Sequence, residues 1–597
     1  MASFVPANLP AGLVEPGIYT TIKLDGDPGL SAPSNRCLIT GYVGTGGTYP
    51  LNQPVRALSL DEVNAGARSY SMLAHAFQAA KSQVPIGAEI WLLPLAEPSG
   101  GTAQVVSVTF QGEPTLGVLS SATTAAAADT VYVAYRGRGV SVGIKAGDDW
   151  ATIATNVKAA WDDIDDAPAA CTRSTATLSF TARHKGDFDD GAVEIGFASK
   201  GASGCAASFG TMTVANAAGG TGTCVIKMGV KSATVAVTNG DAATATGTGI
   251  VTKLNSDSYP IRAAQPSSPT GTVTLFYVNG RPIRPLSVSS TETGLSGQTV
   301  TDAVGTAGAG NPSLTSALAN IAADDAAKFK ITSVFWTTVT EWSTLAAQIV
   351  AQDAPPYNKG GVAVCTLTVS LAALSTLSLP TSTTPRLDGY DRFPVLWAAA
   401  APNAGWELSA RLAAAVAAES YIARNWNGFE FQGSVNAPLV AIHAADRPSA
   451  DDRNTAISLR HCPLTVNSAG YMAMTWGGVS YKSKGTRDAK RTKLSTRLTL
   501  DYFRDDLNSY LSAIYSGKKV KLASAPRTSN AVELSSVEAD VYLWTKRLDD
   551  VDLFDGAEAA RDAIKAAVIV SHGRIDVNIP FKTLADLDIV APVGIVE

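Results

Sequence analysis

The chain has 597 residues, a formal net charge of -5, and 46% hydrophobic but only 17% charged side chains. That apolar content excludes a mainly disordered protein, and the length calls for roughly three to five domains instead of one core. The mild acidity gives no general attraction to nucleic acid or to an anionic membrane.

The start, Met1 to Pro6, lacks the basic and apolar regions of a signal peptide. Residues 1–30 read as an extended arm, because Pro6, Pro10, Pro16 and Pro28 oppose a helix. Within it, the run from Gly17 to Leu24, with Ile18, Tyr19 and Ile22, is strand-like and needs a partner in this chain or a neighbouring one. Segment 31–100 reads α/β: a buried strand over Arg36–Val43, a capped helix start at Ser59, a helix from Ser71, and a strand over Glu89–Leu95.

From 101 to 300 the chain becomes rich in Thr, Val, Ala and Gly, which predicts a β-rich insertion. Two diverged repeats are expected there, about 129–200 and 222–290, each a hairpin, a Gly-Asp turn, a helix and further strands. The α/β pattern returns over 301–480. It predicts a helix opening at Asn311–Leu314, a strand over Lys330–Trp336 and a helix over Glu341–Ala351. A strand over Gly361–Thr366 and an Ala-rich helix over Gly405–Ala423 follow. Segment 481–573 carries a charged helix over Leu494–Tyr515 and a helix over Ala557–Ala567. Residues 574–597 form a second arm, opening on a strand over Arg574–Ile579 with Ile575 and Val577. The fold class expected is α+β / α/β multidomain, with a large β-rich insertion and extended N- and C-terminal arms.

No motif makes a case for catalysis. Gly44-Thr45-Gly46-Gly47 lacks the Lys-Ser/Thr of a phosphate loop. Gly139-Val140-Ser141-Val142-Gly143 matches a nucleophile elbow in letters only, since its serine sits in an alternating β run. His461 and Cys462 are adjacent, and adjacent side chains on a strand point apart. No metal or cofactor is expected. The six cysteines lack metal spacing, and the leading reading is buried thiols. Cys171, Cys205 and Cys224, all in the insertion, are the candidates for disulfides formed later in an oxidising medium. The basic cluster with Lys490, Arg491, Lys493 and Arg497, followed by Asp501 and Asp505, reads either as a solvated helix face or as a sign-patterned docking surface.

In order along the chain, several segments resemble the tail sheath proteins of Mu-like contractile phages. They are Pro16-Gly17-Ile18-Tyr19, Arg36 to Gly41, Gly66 to Ala74, Glu89 to Leu95, Gly147 to Trp161, Leu178 to Gly186, Gly308 to Pro312 and Arg487 to Arg504. The longer, duplicated insertion and the C-terminal tail depart from the family pattern. The resemblance implies a non-enzymatic structural subunit with an α/β sheath core and an inner domain over 481–573. Such a subunit is a virion tail component assembled in the host cytoplasm. It polymerises with itself into a helix of stacked hexameric rings around a tail tube protein. Baseplate and tail terminator proteins complete the partners, with no nucleic acid and no membrane among them.

The family's contraction drives the tube through the host envelope for genome ejection. Its mesh of lent strands implies Gly17, Ile18, Tyr19, Ile22, Leu24, Ile575, Val577 and Ile579 as inter-subunit donors. Lys490, Arg491, Lys493, Arg497, Asp501 and Asp505 would then face the tube. The sheath of a phage-like contractile injection or secretion system is the alternative, and a β-rich adhesin or carbohydrate-binding protein the more distant one.

Overall fold

In the computed structural model, the residues described are 35–188, 191–199, 202–256, 259–324, 328–353, 359–378, 392–419, 424–435, 437–479, 493–515, 519–520, 531–554, 556–569 and 574–579. They are mixed α/β and multidomain, with several separate sheets. Two compact units divide them, one within 34–501 and the other within 502–583.

The larger unit opens with β1 (Arg36–Tyr42), β2 (Val55–Arg56), α1 (Leu60–Ala67), α2 (Met72–Gln83) and β3 (Glu89–Leu95). Six of the seven β1 residues are buried, as a parallel strand covered on both faces requires. Ser59 caps α1 by accepting the Glu62 N–H at 3.2 Å. The Glu62 carboxylate accepts from Leu58 N–H at 3.1 Å, one residue earlier than a standard capping box.

The insertion follows as β4 (Ala103–Gly112), β5 (Asp129–Tyr135), β6 (Arg138–Ile144), α3 (Trp150–Asp162), β7 (Ala169–Ser174), β8 (Thr177–Lys185) and β9 (Val193–Phe197). The same succession then recurs as β10 (Cys205–Ala215), β11 (Gly222–Met228), β12 (Lys231–Val237), α4 (Ala243–Ser256), β13 (Ile261–Ala264), β14 (Thr272–Tyr277) and β15 (Val288–Thr293), and β16 (Thr299–Ala303) ends it. Some side-chain bonds recur at matching places in the two stretches. Asp148 Oδ2 accepts the Lys145 N–H at 2.8 Å, and Asp241 Oδ2 accepts the Thr238 N–H at 2.7 Å. The Thr109–Thr177 hydroxyl pair on β4 and β8 recurs as Thr213–Thr272 on β10 and β14. The first half of β10 pairs with β4 and its second half with β16, so the leading strand of the second copy completes the sheet of the first.

The core resumes with α5 (Thr315–Ala323), β17 (Ile331–Ser333), α6 (Val339–Asp353), β18 (Val362–Leu367), α7 (Leu371–Ser378), β19 (Val395–Trp397) and α8 (Gly405–Ala418). After these come β20 (Phe429–Glu430), α9 (Ala450–Ser458), β21 (Cys462–Val466), β22 (Met472–Met474) and α10 (Leu494–Tyr515), which passes into the smaller unit at Tyr502. The nine-stranded sheet runs β2-β3-β1-β17-β18-β19-β21-β22-β20 and is parallel from β3 to β21. The Ala-rich α8 is buried on every side from Gly405 to Ala417, which makes it a core helix. The core and the insertion keep separate apolar clusters, one around Leu38, Trp336 and Leu412, the other around Phe110, Trp161 and Ile226.

The smaller unit holds β23 (Lys519–Val520), β24 (Ala531–Val532), α11 (Leu534–Asp549), α12 (Ala557–Ala560), β25 (Lys565–Ile569) and β26 (Arg574–Asn578). Two expectations need correction. The strand over Lys330–Trp336 keeps only Ile331–Ser333, where the ladder to β18 runs. The helix over Ala557–Ala567 stops after α12 and a short 3-10 turn, because Lys565–Ile569 pairs antiparallel with Arg574–Asn578.

Candidate interaction surfaces

Gly17, Ile18, Tyr19, Ile22 and Leu24 lie outside the described residues. Ile575 and Val577 are on β26, where their backbones pair within the chain with Val568 and Ala566. Ile579 packs with Val537, Val541 and Ile564 in the small apolar cluster of this unit. Among the described residues, β25 and β26 form a sheet of two strands, so each has an outer edge without a strand partner.

Lys490 and Arg491 also lie outside the described residues. The charges after them are engaged in the chain. Lys493 is buried with its ammonium 5.5 Å from the Trp476 ring centre. Arg497 donates to Asp501 at 2.9 Å and to Asp353 at 3.3 Å. Arg392 grips Asp501 with two bonds of 2.7 and 3.1 Å and also pairs with Asp353. The second oxygen of Asp501 takes the Gly361 N–H at 3.0 Å. Burial alone would lower the Arg392 pKa, yet Asp501 and Asp353 hold it above the ordinary value. Asp505 meets Arg504 at 3.5 Å. Charge at Arg497 and Asp501 thus neutralises itself within the chain instead of facing outward. Replacing Arg392 by methionine leaves Asp501 and Asp353 to share Arg497 alone beside the core and is expected to destabilise the 34–501 unit by about 3 kcal/mol. Urea unfolding at pH 7 measures it, and a shift below about 1 kcal/mol would contradict the role given to this pair.

Cys171, Cys205 and Cys224 are buried free thiols. Burial pushes each up to about 12. Cys171 on β7 and Cys205 on β10 are separated by β8 and β4, three strand spacings or roughly 14 Å. A disulfide needs Cα atoms within about 7 Å, so that pair does not fit. Cys224 lies on β11 of a different sheet. Elsewhere, burial holds the Cys462 thiol up at about 12 and its neighbour His461 down at about 3, the reverse of a nucleophile and base. Ser141 sits exposed in the middle of β6. Among the described residues no cluster of three metal-ligating side chains occurs.

The most elaborate polar constellation joins the insertion to the core, and the sequence reading missed it. The β5–β6 turn holds Arg136 and Gly137 at positive φ, 53° and 79°, the backbone of a tight hairpin. A Cβ at Gly137 would come 3.0 Å from the Asn403 side chain and would be strained at this positive φ, so glycine suits the close approach of the tip. Arg136 lies 4.6 Å from the Trp406 ring centre, and its Nη2 donates to Gln104 at 3.1 Å. Arg138 donates to Glu407 at 2.7 Å, to Asp166 at 3.1 Å and to Gln78 at 3.1 Å. Burial would lower its pKa, but Glu407 and Asp166 hold it above the usual value.

Three further contacts extend this seam. His184 Nε2 accepts the Met72 N–H at 3.1 Å at the start of α2, which leaves Nδ1 to donate to Glu97 at 2.6 Å. Arg281 clasps Asp446 at 2.5 and 3.2 Å. Arg284 donates to the carbonyls of Ala401 and Asn403 at 2.7 and 3.2 Å. The one local signal was Arg136-Gly137-Arg138, two arginines around a turn glycine in a charge-poor insertion.

No family model and no curated protein matches the chain. Among solved structures it is similar to a sheath tail protein from Desulfitobacterium hafniense, 12% identical over 95% of this chain and 100% of that one, with a TM-score of 0.40. It is also similar to a chain of the anti-feeding prophage baseplate, at 10% identity over 45% and 68% of the two chains with a TM-score of 0.31. A chain of the contracted anti-feeding prophage sheath is 9% identical over 44% and 69%, also with a TM-score of 0.31.

Proposed function

We propose that this chain is a structural subunit of a contractile sheath, which polymerises with itself and works by changing the shape of the polymer. The observation that carries the reading is the ordered series of sheath-like segments from Pro16 to Arg504. The β25–β26 hairpin supports its mechanism. Among the described residues this hairpin is a sheet of two strands, marginal in water by itself, and its outer edges are places where strands from neighbouring copies would add. Gly17 to Leu24 is the donor on this reading. With Ile575 and Val577 paired in the chain, β26 serves as an acceptor edge as well as a connection to the tail. A tail tube, a baseplate and a terminator are the partners of such a subunit, and a phage tail or a phage-like injection machine its setting.

Negative-stain electron microscopy of the purified full chain, alone and with a candidate tube protein, is the test. Hollow striated tubes in either sample support a sheath. Dispersed folded monomers in both overturn the reading.

A further inference from the structure

The insertion and the core have separate apolar clusters and are connected by two chain crossings. Domains joined in that way ordinarily shift against each other unless something fixes their interface. Here the crossings are zipped side by side. Thr102 exchanges both backbone bonds with Ala309, at 3.0 and 3.1 Å, and Val105 does so with Thr306, both at 2.9 Å. Above this stalk Phe188 and Val230 pack against the apolar cluster of the core, and the polar contacts of the seam fall on three segments of the core.

At the start of α2, the insertion supplies His184 for the Met72 N–H, while the Asp165 and Asp166 carbonyls take Ser69 Oγ at 2.9 Å and His75 Nε2 at 2.9 Å. At the start of α8, Arg136 and Arg138 hold Trp406 and Glu407. Arg284 holds the 401–403 backbone immediately before α8, and at the third place Arg281 holds Asp446. Arg138, Arg281, Arg284, Glu407 and Asp446 are all buried.

We infer that this seam is a three-point mount that makes the insertion and the core one mechanical body. An apolar seam can slide, because its contacts are interchangeable. A buried arginine cannot move by one position without losing its partner, and unpairing a buried charge is far costlier than losing one exposed contact. Anchors on three segments of the core, together with the stalk, oppose the rotations that a stalk alone permits. The insertion is then a rigid arm carried through whatever rotation the core makes, and the inference holds whether or not the polymer is a contractile sheath.

Spin labels on exposed positions of the two parts, Ser141→Cys in the insertion and Asp451→Cys on α9, test it in the full chain. A single narrow distance distribution is expected for the otherwise native protein. Arg281→Gln with Arg284→Gln removes the hold on Asp446 and on the 401–403 backbone while leaving both apolar clusters intact, and should broaden that distribution at least twofold. A broad distribution in the native chain overturns the mount, as does an equally narrow one in the variant. Should the double variant fold poorly, Arg281→Gln alone, compared with Arg281→Lys as partial rescue, gives the same reading.

Discussion

Removing residues 1–24 is expected to leave a folded chain that no longer forms tubes at any practical concentration. The described elements begin at Arg36, so both compact units keep the strands and helices that define them. What is lost, on the function proposed above, is the segment that a neighbour's β25–β26 hairpin would take up. A run the length of Gly17–Leu24 makes on the order of four to six backbone hydrogen bonds when it joins an edge, each worth about 1 kcal/mol net. Losing roughly 4 kcal/mol per contact raises the concentration needed for assembly by about a thousandfold. Sedimentation and electron microscopy of the truncated chain beside the full one read the result directly. Tubes formed by the truncated chain at the same concentration would remove the arm from the mechanism.

Much of the core was legible because its signals are local. Arg36–Val43 and Glu89–Leu95 are short apolar runs bounded by turn residues, and they appear as β1 and β3 almost to the residue. The charged segment Leu494–Tyr515 is α10 with the expected bounds. Ala557–Ala567 misled because alanine propensity is a weak preference, and a strand partner fewer than ten residues away outweighs it. Helix α11 carries Val537, Val541, Trp544 and Leu548 on one buried stripe, a helical spacing visible in the chain yet absent from the expected elements.

The candidate surfaces were less legible for a physical reason. Whether a charge faces outward depends on partners far away in sequence. Arg497 and Asp501 look like a free charged face until Arg392, about a hundred residues upstream, closes on them. Arg138 meets Glu407 across 269 positions and Arg281 meets Asp446 across 165, so no local pattern marks either pair. The same pairs explain how a charge-poor chain holds two cores in register: its few buried arginines sit where the elements meet.

Acid is expected to weaken the 34–501 unit through His461. This residue lies between α9 and β21, is fully buried, and is held neutral by burial down to about 3, against an ordinary value of 6.5. The folded-state pKa of a base is lowered here, so between those two values the unfolded chain binds a proton that the folded chain refuses. Stability then falls as pH drops below 6.5, by about 1.4 kcal/mol per pH unit, reaching roughly 4–5 kcal/mol near pH 3. His75, also buried and held well below its ordinary value by burial and then by Arg138, adds a contribution of the same sign. Carboxylates lost from ion pairs steepen the fall further, so the histidine's share is read as a difference. His461→Gln, which keeps a polar side chain of similar reach, should lose some stability at pH 7.5 but show a shallower decline between pH 6.5 and 4.5, by about 2–3 kcal/mol over that span. Urea midpoints for both proteins across that range decide the matter. Parallel curves would mean that His461 takes up its proton in the folded chain, through an opening that admits water to the α9–β21 junction.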